Sequence, residues 1–442
     1  MFVFGGLSAT VRHGAFFGGN FWAVTFRYLG IPSEIALPDR LALRMLVRTF
    51  RPELMDRLVD GAERREQRRR LLPAQLMMYF ALAMWLFGTS SYEEVLAKLT
   101  GGLPEMFQDA KDAGTVATAA AIARARMRLG VEPLKALCAH VAASAGLPVA
   151  PGDERVFVLE RVAMEAPDTS ANRAAYELPD PGVHPPDAVR PSDDALVVDG
   201  DRPADGAAAE TAPALRRTRG RALDVWLVSL TECRSRLSVA SAIAPSPELG
   251  VEGIISEWPH DHLGAGALVV GEWDVVPPAM WNALAEAGAR QIWRVGGRGG
   301  TGDLLPVVRA LPDGSYLSHL SHLPQDGPGE GAAPGPVVRV VPCRRPDPGG
   351  GSPVLVTSFL DEEVTADEIT ARHGNVAEMC RNGVGQFAGQ IAGLRVGLRS
   401  KSPELVQQEI YAMLCMYHVV GHLLSPMYSG DGFSVESGGP AL

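Results

Sequence analysis

From Leu37 to about Leu147 the apolar positions recur with a helical period. Arg44, Arg48 and Arg51, spaced by four and three among Leu41, Leu43, Met45 and Leu46, place their cations on one face of an amphipathic helix. Behind Pro73, the nearly all-apolar stretch Leu76 to Phe87 is too short to span a bilayer and suits a buried helix, ended by Gly88. Ser91, with Glu94 three residues later and Val95, Leu96 and Leu99 beyond, is a capping-box signal. Thr118 to Leu129, stopped by Gly130, and a start at Pro133 complete an all-helical module of five or so elements.

From Arg155 the period changes. Val156 to Leu159 is a short apolar run ending at Glu160, while Leu223 to Leu230 and Arg236 to Ile243 read as two strands of a hairpin. Gly266 to Val270 and Gln291 to Val295 are further strands, with a helix from about Pro278 to Gly288 between them. Short strands follow near Leu305 and Tyr316, then at Val337 to Val341 and Val354 to Ser358, broken by the turn Pro312-Asp313-Gly314. Helix returns at Ala366 to Cys380, and again where Ser402, Pro403 and Glu404 supply a cap, a first-turn proline and an acid matched to the helix dipole. The segment 177–214, rich in Pro, Asp, Gly and Ala, reads as a disordered insertion, and 325–336 and 345–351 read as linkers.

Composition adds bounds. A chain of 442 residues with 46% hydrophobic and 21% charged residues buries a core and suggests two or three domains. A formal charge of −10 argues against a polybasic chain that coats nucleic acid, yet leaves room for a local basic face. The 5 cysteines lie far apart with no CxxC pair, so neither a disulfide framework nor a zinc knuckle fits, and a reducing cytosol is the simplest compartment. Residues 1–34 read as a tail. Their apolar run is broken by Arg12 and His13 and loosened by glycines, which fits neither a signal peptide nor a membrane span.

Two clusters carry positive charge in the helical module: Arg64, Arg65, Arg68, Arg69 and Arg70, and Arg124, Arg126 and Arg128. Both suit contact with DNA phosphates, although Glu53, Asp56, Asp60, Glu63 and Glu66 neutralise much of the first. Arg216, Arg217, Arg219 and Arg221 read as a flexible basic hinge. His260 and His262 lack further metal ligands, and Gly297, Gly299 and Gly300 lack the lysine and following helix of a phosphate loop.

Three blocks then carry a resemblance. LPDRLALRMLVRTF with RRRLLPAQLMMYFALAMWLFGTSSYEEVLAKLTGGL, LERVAMEAPDTSANRAAY, and LRSKSPELVQQEIYAMLCMYHVV are similar, in that order, to transposases of the insertion-element-four family, over about residues 35 to 425. The resemblance implies an α+β chain. An all-helical N-terminal domain at 35–148, expected to bind DNA, precedes a ribonuclease-H-like α/β core at 149–442 with a β-rich insertion at 296–362. It also implies hydrolysis and transfer of DNA phosphodiesters by two Mg²⁺ ions, held by carboxylates from separate elements. Double-stranded DNA is the implied partner, a homodimer the implied assembly for joining two element ends, and a bacterial cytoplasm or nucleoid the implied location. No small-molecule substrate and no membrane are expected.

The sequence departs from the family pattern at each acid. Glu160-Arg161 stands for the first Asp-Gly, Glu272 for the second Asp, and Glu378 is the acid of the C-terminal helix but has Gly374 and Gly385 where the family has Arg and Lys. An added methylene shifts a carboxylate by a bond length, and a misplacement of about 1 Å costs on the order of a hundredfold in rate. Arg161 is also expected to pair with Glu160 and take a metal's place. The reading is therefore a degenerate or domesticated transposase that keeps DNA binding and loses efficient strand transfer. The alternatives are an active enzyme holding Mg²⁺ on Glu160, Glu272 and Glu378, and an interaction protein without DNA affinity.

Overall fold

The computed structural model describes residues 39–68, 70–107, 117–143, 154–178, 222–256, 263–264, 266–273, 276, 278–296, 305–320, 335–343, 353–379, 383–384, 387 and 396–424. The expected tail at 1–34, the body of the insertion at 177–214, the arginines at 216–221, His260, His262 and the glycines at 297–300 lie outside the described residues.

The N-terminal part contains helices α1 (Asp39–Thr49), α2 (Pro52–Gly61), α3 (Ala74–Leu86), α4 (Tyr92–Gly102), α5 (Ala119–Leu129) and α6 (Glu132–Ala143). Their ends are set by local chemistry. The Ser91 hydroxyl accepts the Glu94 N–H at 3.2 Å while the Glu94 carboxylate accepts the Ser91 N–H at 2.8 Å, completing the expected capping box. Thr118 caps α5, and Gly130, with φ of 72°, ends it in a conformation that side-chain-bearing residues rarely adopt. α3 is buried all round, as its unbroken apolar run requires, and Arg44 and Arg48 lie on the exposed side of α1.

The rest of the chain is built on one mixed sheet. Its strands are β1 (Arg155–Pro167), β2 (Ala222–Glu232), β3 (Leu237–Ala244), β4 (Ala267–Trp273), β5 (Arg290–Val295), β6 (Arg309–Ala310), β7 (Tyr316–His319), β8 (Val337–Pro342), β9 (Val354–Thr357) and β10 (Val396–Gly397). The spatial order is β3-β2-β1-β4-β5-β9-β8-β7-β6. β1 is antiparallel to β2 and parallel to β4, and β4 is parallel to β5. Helices α7 (Ser170–Tyr176), α8 (Pro247–Ser256), α9 (Pro278–Glu286), α10 (Ala366–Met379) and α11 (Pro403–Leu424) complete the described elements. The chain is thus α+β with its helical part N-terminal.

β1 does not end at Glu160 as its first apolar run suggests. It continues to Pro167, because Val162, Met164 and Ala166 alternate inward on one face. Over Arg155 to Leu159 it pairs with β4, and at Met164 and Glu165 with β10. Glu160 therefore sits where one neighbour has diverged and the next has not yet begun. β4 likewise extends through Trp273, so Glu272 lies within a strand rather than after one.

Side-chain alternation sorts the core into clusters. Phe157 and Leu159 face α8, α9 and Trp293 on one side. On the other side, Val156, Val158, Leu268, Val270 and Ile292 lie under Phe359 and, on α10, Ile369 and Val376. Further along β1 and β2 that same side, through Val162, Met164, Val225 and Leu227, shares a single buried cluster with α1 to α6 and α11.

Candidate acid corner and basic face

Leu159 pairs with Gly271 across the parallel strands, so Glu160 and Glu272, one step further, leave the sheet on the same side. Glu272 is paired in turn with Arg294 on β5. α10 covers this side, and the chain beyond it returns at Gly383 and Val384 to meet Glu160. Glu378 lies on α10 between Val376, which packs on the sheet, and this return; its side chain lies outside the described residues. Two of the three expected acids are thus brought side by side, with the helix bearing the third above them.

Their surroundings differ from a cation site. The Glu160 carboxylate accepts the N–H of Val384 at 3.0 Å and lies against Gly383, in the space a Cβ there would fill. Burial pushes the carboxyl up to about 7, and the single N–H bond pulls only partly the other way. Glu272 is ion-paired with the Arg294 guanidinium. Burial lowers the His373 imidazole on α10 below its ordinary value, with Arg294 adding to the effect and Glu272 opposing it, which puts this histidine beside the pair. Two divalent ions bridging a phosphate need converging carboxylates with free oxygen lone pairs. A carboxyl enclosed by backbone and another neutralised by arginine do not fit that demand. Among the described residues no group of three His, Cys, Asp or Glu could hold a metal.

Arg161 is placed differently from expectation. It leaves β1 on the side opposite to Glu160, and its guanidinium lies 5.0 Å from the centre of the Trp273 ring. Alternation along the strand explains the correction: consecutive side chains point to opposite faces.

The described basic residues fall into four sets. Arg68, Arg70 and Arg124 are exposed, and Arg69 lies outside the described residues. Arg64 and Arg128 join the two clusters into one face. The Arg64 guanidinium lies over Gly130, where a Cβ would meet its Nε at 3.2 Å, and Arg128 Nη2 donates to the Leu72 carbonyl at 3.3 Å. Arg65 is held by Asp60 and Asp56.

Arg126 is a correction, because it is 0% exposed and cannot meet DNA. It donates to Gln408 Oε1 at 3.2 Å, the Tyr92 hydroxyl at 3.1 Å, the Ser400 hydroxyl at 3.3 Å and the Leu405 carbonyl at 3.0 Å. Around it, Glu409 accepts the Ser400 hydroxyl at 2.6 Å and the N–H groups of Arg399 and Ser400. Arg399 Nη1 donates to the Ser90 carbonyl at 2.7 Å, and Trp85 Nε1 to the Glu409 carbonyl at 2.7 Å. Thr169 and Asn172 of the PDTSAN motif donate to the carbonyls of Lys401 and Ser400. Two of the three blocks that carry the sequence resemblance therefore meet the helical module in one polar knot.

Arg294, Gly383 and Val384 were invisible in the sequence as members of the acid corner. Only strand register and the return of the chain bring them there.

Among the described residues no helix is long and apolar enough to cross a membrane. A search of curated proteins gives no match to the chain. Residues 40–139 match the family described as insertion element 4 transposase N-terminal, which spans α1 to α6 almost completely. The helical module is thus similar to the N-terminal domain of insertion element 4 transposases, and the match covers that module alone.

Proposed function

We propose that the protein is a transposase-derived DNA-binding protein whose ribonuclease-H-like core no longer supports efficient metal-dependent strand transfer. The observation that carries this reading is the state of the two described acids: Glu160 is enclosed by Gly383 and Val384, and Glu272 is neutralised by Arg294. The order β3-β2-β1-β4-β5, with β1 antiparallel to β2 and parallel to β4, is in keeping with a ribonuclease-H-like sheet. Strands β6 to β9, between β5 and α10, are in keeping with the β-rich insertion. In an active relative, paired Mg²⁺ ions would supply the charge that activates water and steadies the leaving oxygen. Here the side chains supply only an ion pair and an enclosed carboxyl.

Double-stranded DNA is the proposed partner, met by the face that Arg64, Arg68, Arg70, Arg124 and Arg128 form at the junction of the two clusters. Support comes from their exposure and from the contacts that hold Arg64 and Arg128 in place. Mobility-shift titrations at several salt concentrations, followed by incubation of the complex with Mg²⁺ or Mn²⁺, test both parts. Binding that weakens as salt rises, with no cut or joined strands, is the expected result. Metal-dependent cleavage abolished by Glu160→Ala or Glu272→Ala would overturn the loss of chemistry, and absence of binding at low salt would overturn the DNA partner.

A further inference from the structure

Cys138 on α6 and Cys415 on α11 are 277 residues apart in the chain, yet their Sγ atoms lie 3.0 Å apart. Both are free thiols within the buried cluster shared by the helical module and α11, Cys138 being 7% and Cys415 0% exposed. Cys138 Sγ also lies 3.1 Å from the carbonyl oxygen of Tyr411, one turn before Cys415, so it is seated against that stretch of α11. Leu134, Leu137 and Val141 on one helix and Ala412, Met413 and Met416 on the other fill the same cluster and hold the sulfurs together. Cys233 belongs to a different cluster and Cys343 packs against that one, while Cys380 lies outside the described residues.

We propose that Cys138 and Cys415 are an oxidation site, closing to an intramolecular disulfide that ties α6 covalently to α11. With a hydroperoxide as oxidant, the Cys138 thiol loses its proton and attacks the peroxide. The O–O bond breaks, the departing oxygen leaves as water or alcohol, and a sulfenic acid remains on Cys138. Cys415 then loses its proton and attacks that sulfur; the S–S bond forms and the S–O bond breaks, releasing water. Two thiols give up two electrons, and the peroxide takes them. The order follows from access, since Cys138 keeps some exposure, and burial pushes the Cys415 thiol well up, which suits it to resolve rather than initiate. The tie closes a loop that takes in every described strand of the sheet, so the oxidised chain should resist unfolding more than the reduced one.

The test uses the full chain. Folded protein is treated with hydrogen peroxide, remaining thiols are alkylated in denaturant, and the digest is mapped by mass spectrometry without reductant. The expected result is a linked Cys138 and Cys415 peptide pair, monomeric on a non-reducing gel and lost with dithiothreitol, with a urea midpoint above that of the reduced protein. Oxidation in urea should scatter the linkages instead. Alkylated Cys138 and Cys415 after peroxide, sulfinic acid on Cys138, or linkage of either to another cysteine would overturn the proposal. Cys138→Ala and Cys415→Ala should each abolish the pair and the oxidation-dependent shift, and the wild-type peptide map stands even if one of them folds poorly.

Discussion

Two glutamates enclosed by backbone groups sit in very different company. Glu409 on α11 accepts the Ser400 hydroxyl and the N–H groups of Arg399 and Ser400, beside an arginine whose nitrogens are bonded in several directions. Glu160 on β1 accepts one N–H and is pushed up to about 7. The difference teaches that burial alone does not decide whether a carboxylate is stabilising. The number of donors converging on it does, because each unmade bond leaves the desolvation cost of a buried charge uncompensated.

The sharpest way to break this comparison is to cut the knot around Glu409. Arg126→Met should cost about 3 to 5 kcal/mol in urea unfolding, since it leaves several enclosed acceptors without a donor. Arg124→Ala, on the exposed side of the same helix, should stay within about 0.5 kcal/mol. Equal effects would mean that the knot is not a distinct structural centre. At the acid corner, Gly383→Ala should cost about 1 to 3 kcal/mol by driving a methyl group into the Glu160 carboxylate. Most of that cost should vanish in a Glu160→Ala background, a coupling read from the double-mutant cycle.

A third carboxylate sharpens the rule. Burial alone would push the Asp313 carboxyl up, but the hydroxyl and N–H of Ser315, the N–H of Ala366 and the Arg339 guanidinium outweigh it and hold it down to about 2. Its folded value lies below the ordinary 3.8, so its contribution is complete above that value and is lost as pH falls toward 2. Solvent screening limits the loss to about 1 kcal/mol, which Asp313→Asn should abolish in acid titrations of stability. Smallest of all is Arg294→Ala. The Glu272 side chain is 69% exposed, so breaking the pair should change stability by less than about 0.5 kcal/mol at moderate salt.

The helical module was largely legible because its signals are local. The capping box at Ser91, the stop at Gly130 and the apolar run after Pro73 each act within one or two turns. The strand hairpin of β2 and β3 was legible for the same reason. The second half of β1 was not, since ERVAMEAP offers small and charged residues whose inward alternation shows only once β2 and β10 flank them. α8 was missed because PELGVEGIIS places two glycines inside a helix. The acid corner was half legible: the sequence marks Glu160 and Glu272, but Arg294 and Gly383 reach them through pairing and chain return. Arg126 shows the opposite failure, for its ARARMRL setting reads as a solvated cationic stripe, and its burial depends on residues more than 270 positions away.

That remote dependence bears on any attempt to isolate the N-terminal segment. Excised at residue 139, the family-matched stretch would carry Arg126 without Gln408, Ser400 and Leu405, and would lay bare the flank of α3 that donates through Trp85 to Glu409. Such a fragment should be sticky and poorly soluble, and should regain a sharp melting transition only when a peptide spanning residues 396–424 is supplied in trans.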